Sequence, residues 1–283
     1  MAAASKPFIN RAARWAARAG LYLALYAGAA IVLLPFVWMV LGSFKPEMEF
    51  FRSPDSLLPV NPTPQAYFDV WSAIPLGRFF VNTVIFAGGV TIISLFFDSL
   101  AAYALARLKF RGQKFLFWVV LLVLMVPFQI TLVPLYLTVS QLGWLNTFAG
   151  LIVPRATNAF GIFMLRQFFL TIPRDLDEAA RIDGASEFRI YWSIILPLSK
   201  PALGALALFH FMFNWNDFLW PLVITTTQDM RTLPAGLALF IGSYSVQHTL
   251  LLAAATITLL PLLAGFLVAQ KQFIQGIAST GMR

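Results

Sequence analysis

Cysteine is missing from all 283 residues, so the chain forms neither a disulfide nor a thiolate metal site. Histidine is nearly missing. His210 and His248 stand far apart without ligand spacing, and no metal site is expected. The dipeptide Gly-Lys never occurs, which removes the phosphate-cradling P-loop and any ATP hydrolysis by the chain itself. No Ser/His, Asp/Asp or His/Glu constellation falls at matched depth, so no catalytic residue is assigned and an intramembrane enzyme is set aside. Charged residues are scarce too, at 11% against about a quarter in a soluble domain. A chain so poor in charge cannot cover a water-facing surface.

What is present is apolar: 59% of residues are hydrophobic and the mean hydropathy is +0.78. A bilayer core about 30 Å thick takes about 20 apolar residues as a helix. Six segments qualify, at 20–43, 79–105, 115–138, 148–170, 200–222 and 248–270. The expected fold class is an all-α membrane protein with six transmembrane helices. Pro127, Pro134 and Pro261 lie inside spans and predict kinks. The basic N-terminus precedes an apolar run too long for a signal-peptide core, so it reads as a retained first span.

The net charge is +8. Fifteen basic residues fall on one side of the six spans, and four (Lys45, Arg52, Arg78 and Arg231) on the other. Arg155 stands inside a span. The positive-inside rule then puts both termini in the cytosol. The charge reflects topology and faces anionic membrane lipid. It forms no single basic face, so nucleic acid is not an expected partner. The outer segment 44–78 is rich in proline and aromatics, with Pro46, Pro54, Pro59, Pro62, Pro64 and Pro75, and reads as an extended loop without regular structure.

The long polar loop between the fourth and fifth spans carries the strongest signal. Asp175, Asp177 and Glu178 crowd the start of a helix-like piece behind Pro173, where acids suit the positive end of a helix dipole. Leu176, Ala179, Ala180 and Ile182 recur at helical spacing, and Gly184 permits a sharp turn. Ser186 with Arg189, and Phe188, Tyr191, Trp192 and Ile195, begin a second amphipathic piece, closed by Pro197 and Pro201. An anionic leaflet would repel the acidic start, so a docking element for a soluble partner fits better than a helix lying on lipid.

The spacing Glu178-Ala179-Ala180, three residues, Gly184, nine residues, Ile194, one residue, Leu196-Pro197 resembles the cytoplasmic "EAA loop" of permease subunits of bacterial ATP-binding-cassette importers. Other stretches are similar to the carbohydrate importers of the maltose-type branch, in particular their smaller permease. They are Ala102–Arg107, Met125-Val126-Pro127 with Pro134-Leu135-Tyr136, Asn214–Pro221, and Thr232–Leu237. The resemblance covers nearly the whole chain. It implies a type I importer permease fold in the bacterial inner membrane. Its implied partners are a homologous second permease, two copies of a nucleotide-binding ATPase and an extracytoplasmic solute-binding protein. No cofactor is implied in this chain, since ATP and Mg would be bound by the ATPase. The loop residues that would couple to it are Glu178, Ala179, Ala180, Asp183, Gly184, Ala185 and Pro197. The implied division is a cytoplasmic segment over 1–19, a first helix with its outer loop over 20–74, a permease core over 75–270 and a cytoplasmic tail over 271–283. Two features depart from the resemblance: the ending Gly276–Arg283, and Arg155 where a neutral residue is more usual.

Ionisable groups inside a bilayer are costly unless paired or wetted. Asp217 stands beside Asn214, Trp215 and Asn216, the carboxylate, amide and indole groups a sugar-binding surface uses. Trp215 and Trp220 also fit an interfacial aromatic belt, and Asn216 a kink cap. Arg155 is expected to pair with Asp217 or to hold an anionic solute such as a sugar phosphate. Gln129 completes the solute-path candidates. Asp98 reads as a packing or gate group, and His210 as a satisfied core histidine. An ion-coupled secondary transporter is the alternative function; it would favour charged pairs at mid-membrane and an inverted repeat, and no convincing repeat is visible.

Overall fold

A computed structural model describes residues 11–53, 56–241 and 246–280. Lys6, Pro54 and the ending Gly281–Arg283 lie outside the described residues. The described chain is helical, apart from an antiparallel bridge between Ile241 and Val246.

The first helix, α1 (Arg11–Gly42), is apolar from Trp15 onward for 28 residues, long enough to cross a bilayer. It contacts α15 near its end, yet the sides of its apolar stretch lie open, with Leu23, Tyr26 and Ile31 each more than 70% exposed. The segment that follows departs from the sequence expectation. It holds two helices, α2 (Glu47–Arg52) and α3 (Gln65–Ala73). Three of its prolines sit at helix boundaries, where a missing N–H costs nothing: Pro46 before α2, Pro64 before α3 and Pro75 before the next span.

The second span is the unbroken α4 (Leu76–Arg107). Spans three to five are each built from two helices separated by a break; a kink was expected at Pro127 in the third, while the breaks in the fourth and fifth were not. α5 (Gln113–Leu124) meets α6 (Phe128–Gln141) at 99°. Pro127 lies at this corner, where its ring pushes Val126 away from helical geometry and it offers no N–H. α7 (Phe148–Ile152) runs through a 3-10 turn, Val153–Arg155, and meets α8 (Ala159–Thr171) at 43°. Asn158 caps the restart, its Oδ1 accepting from Phe160 N at 2.9 Å.

In the polar loop α9 (Asp175–Ile182) precedes α10 (Glu187–Ile190), a π turn over Tyr191–Ile195 and the short α11 (Leu196–Leu198). This stretch meets α12 (Lys200–Trp215) at 80° and so lies across the end of the bundle. The fifth span breaks again at 216–218 before α13 (Leu219–Ile224). A further short helix, α14 (Leu233–Leu237), precedes α15 (His248–Thr280). Pro261 lies inside α15.

α4 is the post around which the rest assembles, packing against α8, α12, α7 and α14. It contributes to each of three apolar clusters. At the loop end Ala102, Tyr103 and Ala106 join Leu165, Phe169, Tyr191 and Ile195. At the other end Phe79 and Ala87 join Trp215, Leu233 and Ala254, while Phe86 and Val90 join Leu151, Trp220 and Ile224.

Candidate functional site

Two regions gather the residues singled out by sequence: the loop across one end of the bundle, and a pair of clefts where the broken spans meet. In the loop, Asp183 ends α9 and Gly184 follows at φ +79. Gly184 N donates to Arg181 O at 3.0 Å and Ala185 N to Ala180 O at 2.9 Å, which closes the helix with a Schellman turn. That turn requires a left-handed residue, the conformation glycine adopts without penalty. Glu178, Ala179, Asp183, Gly184 and Pro197 are exposed. Ala180 and Ala185 instead lean on the apolar cluster at the loop end, so one alanine of the pair faces outward and the other inward. Ile182, Phe188 and Trp192 add exposed apolar surface.

The underside of the loop is bolted to α4. Asp177 was expected only to favour the helix dipole. It is buried, with Arg107 Nη1 at 3.4 Å from Oδ2. Burial pushes its carboxyl above the ordinary aspartate range, with Arg107 pulling it back. Arg107 Nη2 donates to Ile172 O at 2.8 Å, and Tyr103 Oη donates to Glu187 Oε2 at 2.8 Å. Ser99 Oγ and Tyr191 Oη are 2.8 Å apart. Arg181 Nε donates to Glu187 Oε1 at 2.7 Å, closing the two pieces of the loop on one another.

The breaks in spans three, four and five converge. Val126 and Phe128 from the first break and Arg155, Thr157 and Asn158 from the second line a cleft of about 580 Å³. Asn158 again, with Asn216, Asp217 and Phe218 from the third, lines a neighbouring cleft of about 850 Å³. His210 and Phe213 line both. Non-helical backbone inside a bilayer persists only where protein covers it or where it faces a wet cavity. Three such breaks meet on one pair of clefts.

At the seam between the clefts Arg155 Nη2 donates to Asp217 Oδ2, the pairing expected from sequence. The guanidinium carbon lies 4.1 Å from the centre of the Phe128 ring. Asp217 Oδ1 also accepts from Trp220 N at 3.3 Å. The remaining candidates divide. Asn216 is exposed, lines the larger cleft and caps α12 through Nδ2 to Met212 O at 2.8 Å. Asn214 lines the smaller cleft, buried, with its Nδ2 on His210 O at 2.8 Å. Trp215 is a core ring packed edge-on against Phe80, and Trp220 is fully buried with Nε1 on Leu151 O at 3.1 Å. Both rings are buried in the bundle, where a belt tryptophan would face the membrane surface. Gln129 is exposed on α6, outside the cleft lining.

Sequence reasoning missed how Asp98 is used. Fully buried, it accepts from Thr157 Oγ1 at 2.8 Å, from Asn158 N at 2.9 Å and bonds His210 Nε2 at 3.1 Å. One carboxylate thus satisfies the backbone freed by the break in span four and ties three spans together. His210 is the satisfied buried histidine expected. Gly161 makes room, since a Cβ there would stand 2.1 Å from Asp98 Oδ2. The signal was present in two lone ionisable groups within spans, but their pairing depends on helix rotation.

Residues 94–278 match the model of the family described as binding-protein-dependent transport system inner membrane component. The chain belongs to that family. As an importer permease it is 36% identical over 258 residues to the arabinooligosaccharides transport system permease protein AraQ of Halalkalibacterium halodurans, covering 90% of this chain and 92% of that one. It is 35% identical to the diacetylchitobiose uptake system permease protein NgcG of Streptomyces coelicolor, over 89% of this chain and 84% of that one. It is 32% identical to the sn-glycerol-3-phosphate transport system permease protein UgpE of Yersinia enterocolitica, over 92% and 95%. Among solved structures it matches a chain of a bacterial ABC transporter that imports the acidic polysaccharide alginate, with TM-score 0.81 and 25% identity over 95% of this permease and all of that chain. These matches establish the type I importer permease fold and discard the ion-coupled alternative.

Proposed function

We propose that this permease forms half of a translocation path for a sugar or sugar derivative delivered by an extracytoplasmic solute-binding protein. A homologous second permease supplies the other half. Two copies of an ATPase, which bind ATP and Mg, dock on the loop spanning 172–199, with both termini on that cytoplasmic side. ATP-driven closure of the ATPases swings the loops together and opens the path outward, and hydrolysis resets it. The observation that carries this reading is the convergence of three helix breaks on one pair of open-sided clefts, in a bundle whose loop is bolted to α4, the helix whose Asp98 holds the cleft-lining Thr157, Asn158 and His210. A loop fixed to the helix that holds the cleft-lining residues can transmit its displacement to them.

The test is reconstitution of this chain with its second permease, ATPase and solute-binding protein. Solute-stimulated ATP hydrolysis is expected in the native assembly. Gly184→Leu forces a left-handed conformation on a branched side chain, at about 1–2 kcal/mol locally, while its Cβ meets nothing within 4 Å. Insertion should survive and stimulation should vanish. Normal stimulation in Gly184→Leu would defeat the docking role of the loop.

A further inference from the structure

Kinship leaves the charge of the solute open. Relatives named for arabinooligosaccharides and diacetylchitobiose stand beside one named for sn-glycerol-3-phosphate and a structure named for acidic alginate. The clefts themselves are more specific. Among the described residues lining them, the side chains of fixed charge are Arg155 and Asp217, and these are bonded to each other. We propose that the Arg155–Asp217 pair is the specificity-determining element of the path, admitting uncharged saccharides and rejecting solutes that carry a carboxylate or phosphate. The inference rests on the importer reading above and adds the solute's charge to it.

Burial supplies the first argument. The side chains are 13% and 8% exposed. An anion that took Arg155 would strand the Asp217 carboxylate where water reaches it poorly. Removing one partner of a buried pair costs more than the pair contributes, because the charge left behind is uncompensated. Rigidity supplies the second. The guanidinium is held over Phe128 at 4.1 Å and near Phe213 at 5.8 Å, and Asp217 is held by Trp220 N. Neither charge can swing out to meet a solute while the other stays covered. Chemistry supplies the third. Beyond His210, which is bonded to Asp98, the polar groups that remain in the lining are the neutral Thr131, Thr157, Asn158, Asn214 and Asn216, beside rings such as Phe160 and Phe209. Hydroxyls and amides bond sugar hydroxyls, and rings stack on sugar C–H faces.

Glucuronate, an anionic monosaccharide, is the probe. Its binding to the full transporter complex in nanodiscs can be read by ligand-observed NMR. The intact pair should give no Arg155-dependent glucuronate signal. Asp217→Asn should release the guanidinium and create glucuronate binding at least about tenfold tighter, a change of about 1.4 kcal/mol. That binding should weaken as salt rises. Arg155→Gln combined with Asp217→Asn should abolish it. Glucuronate binding by the native complex that disappears in Arg155→Gln would make Arg155 an anion receptor and overturn the proposal. An assembled Asp217→Asn complex that gains nothing would also overturn it, since Arg155 would then lie off the path. If Asp217→Asn does not assemble, the native and Arg155→Gln measurements decide alone. Failure of the importer reading shows separately, as absence of solute-stimulated ATP hydrolysis in the native complex.

Discussion

Arg107 and Asp177 meet at 3.4 Å with their side chains 1% and 3% exposed, so the loop across the end of this permease is anchored by a charge pair that water barely reaches. Arg107 belongs to α4, the central helix of the bundle, and Asp177 to the loop helix α9. The two losses should differ. Asp177→Asn strands a buried guanidinium that cannot shed its proton, and a cost of about 3–5 kcal/mol is expected. Arg107→Gln strands a carboxyl that burial already pushes above its ordinary value, so it can neutralise itself. The sign follows. A carboxyl whose folded pKa exceeds its unfolded 3.8 favours the fold below 3.8, and that contribution is lost as pH rises through the folded value. The thermal midpoint of Arg107→Gln should therefore climb as pH is lowered, more steeply than that of the native chain. A flat profile would show that Asp177 is solvated.

Two glycines on facing spans give opposite outcomes. At Gly161 an added Cβ stands 2.1 Å from Asp98 Oδ2 and 3.0 Å from His210 Nε2. Gly161→Ala should push α8 off α4, break the three-span tie and lower stability by about 1–3 kcal/mol. At Gly88, inside α4, an added Cβ meets nothing within 4 Å. Gly88→Ala should be neutral, or stabilise by up to about 1 kcal/mol through reduced chain entropy. Thermal unfolding in nanodiscs reads both.

Glu47 clamps the segment 44–78 to the last span. Its Oε1 accepts from His248 N at 3.1 Å and lies 3.0 Å from His248 Nδ1, and its Oε2 accepts from Thr249 N at 2.9 Å. Desolvation raises this carboxyl, but the Thr249 and His248 hydrogen bonds together outweigh it, and the net shift is downward from 4.5. A depressed carboxyl contributes stability above its unfolded value and loses it as pH falls through the folded one. Limited proteolysis of the segment should be slow at neutral pH and accelerate as pH falls below the ordinary glutamate range. Glu47→Gln should show the faster rate at neutral pH.

Because the chain has no native cysteine, orientation can be read from single additions. Val60 and Ile182 are 70% and 85% exposed. In intact cells Val60→Cys should react with an impermeant thiol reagent and Ile182→Cys should not. The reverse pattern would invert the proposed topology.

How much of this was legible depends on the range of the interaction. Apolar run length gave six spans, and Pro127 gave the corner in the third. The Schellman turn was readable in Gly184, since the need for positive φ is local. Arg155 and Asp217 were readable as a pair because two lone opposite charges at similar depth need each other. Asp177 was not. Its acidity suited the start of a helix, and nothing nearby in sequence showed that it turns inward to Arg107. Trp215 and Trp220 carried a belt signal that packing overrode. The break at Thr157–Asn158 has no proline of its own beyond Pro154, and what sustains it is Asp98, some sixty residues earlier. Helix rotation set by distant packing decided each of these.

The broken spans also constrain how the chain is made. α5 has 12 residues, about 18 Å of helix, and α7 has five. Neither is long enough to settle across a bilayer on its own. Each must enter together with the half that follows it and wait there, backbone incompletely satisfied at the corner, until α4, α8 and α12 close around Asp98. Assembly inside the membrane is therefore late and concerted for the middle of the bundle, while α1 can insert at once because it needs no neighbour from its own chain.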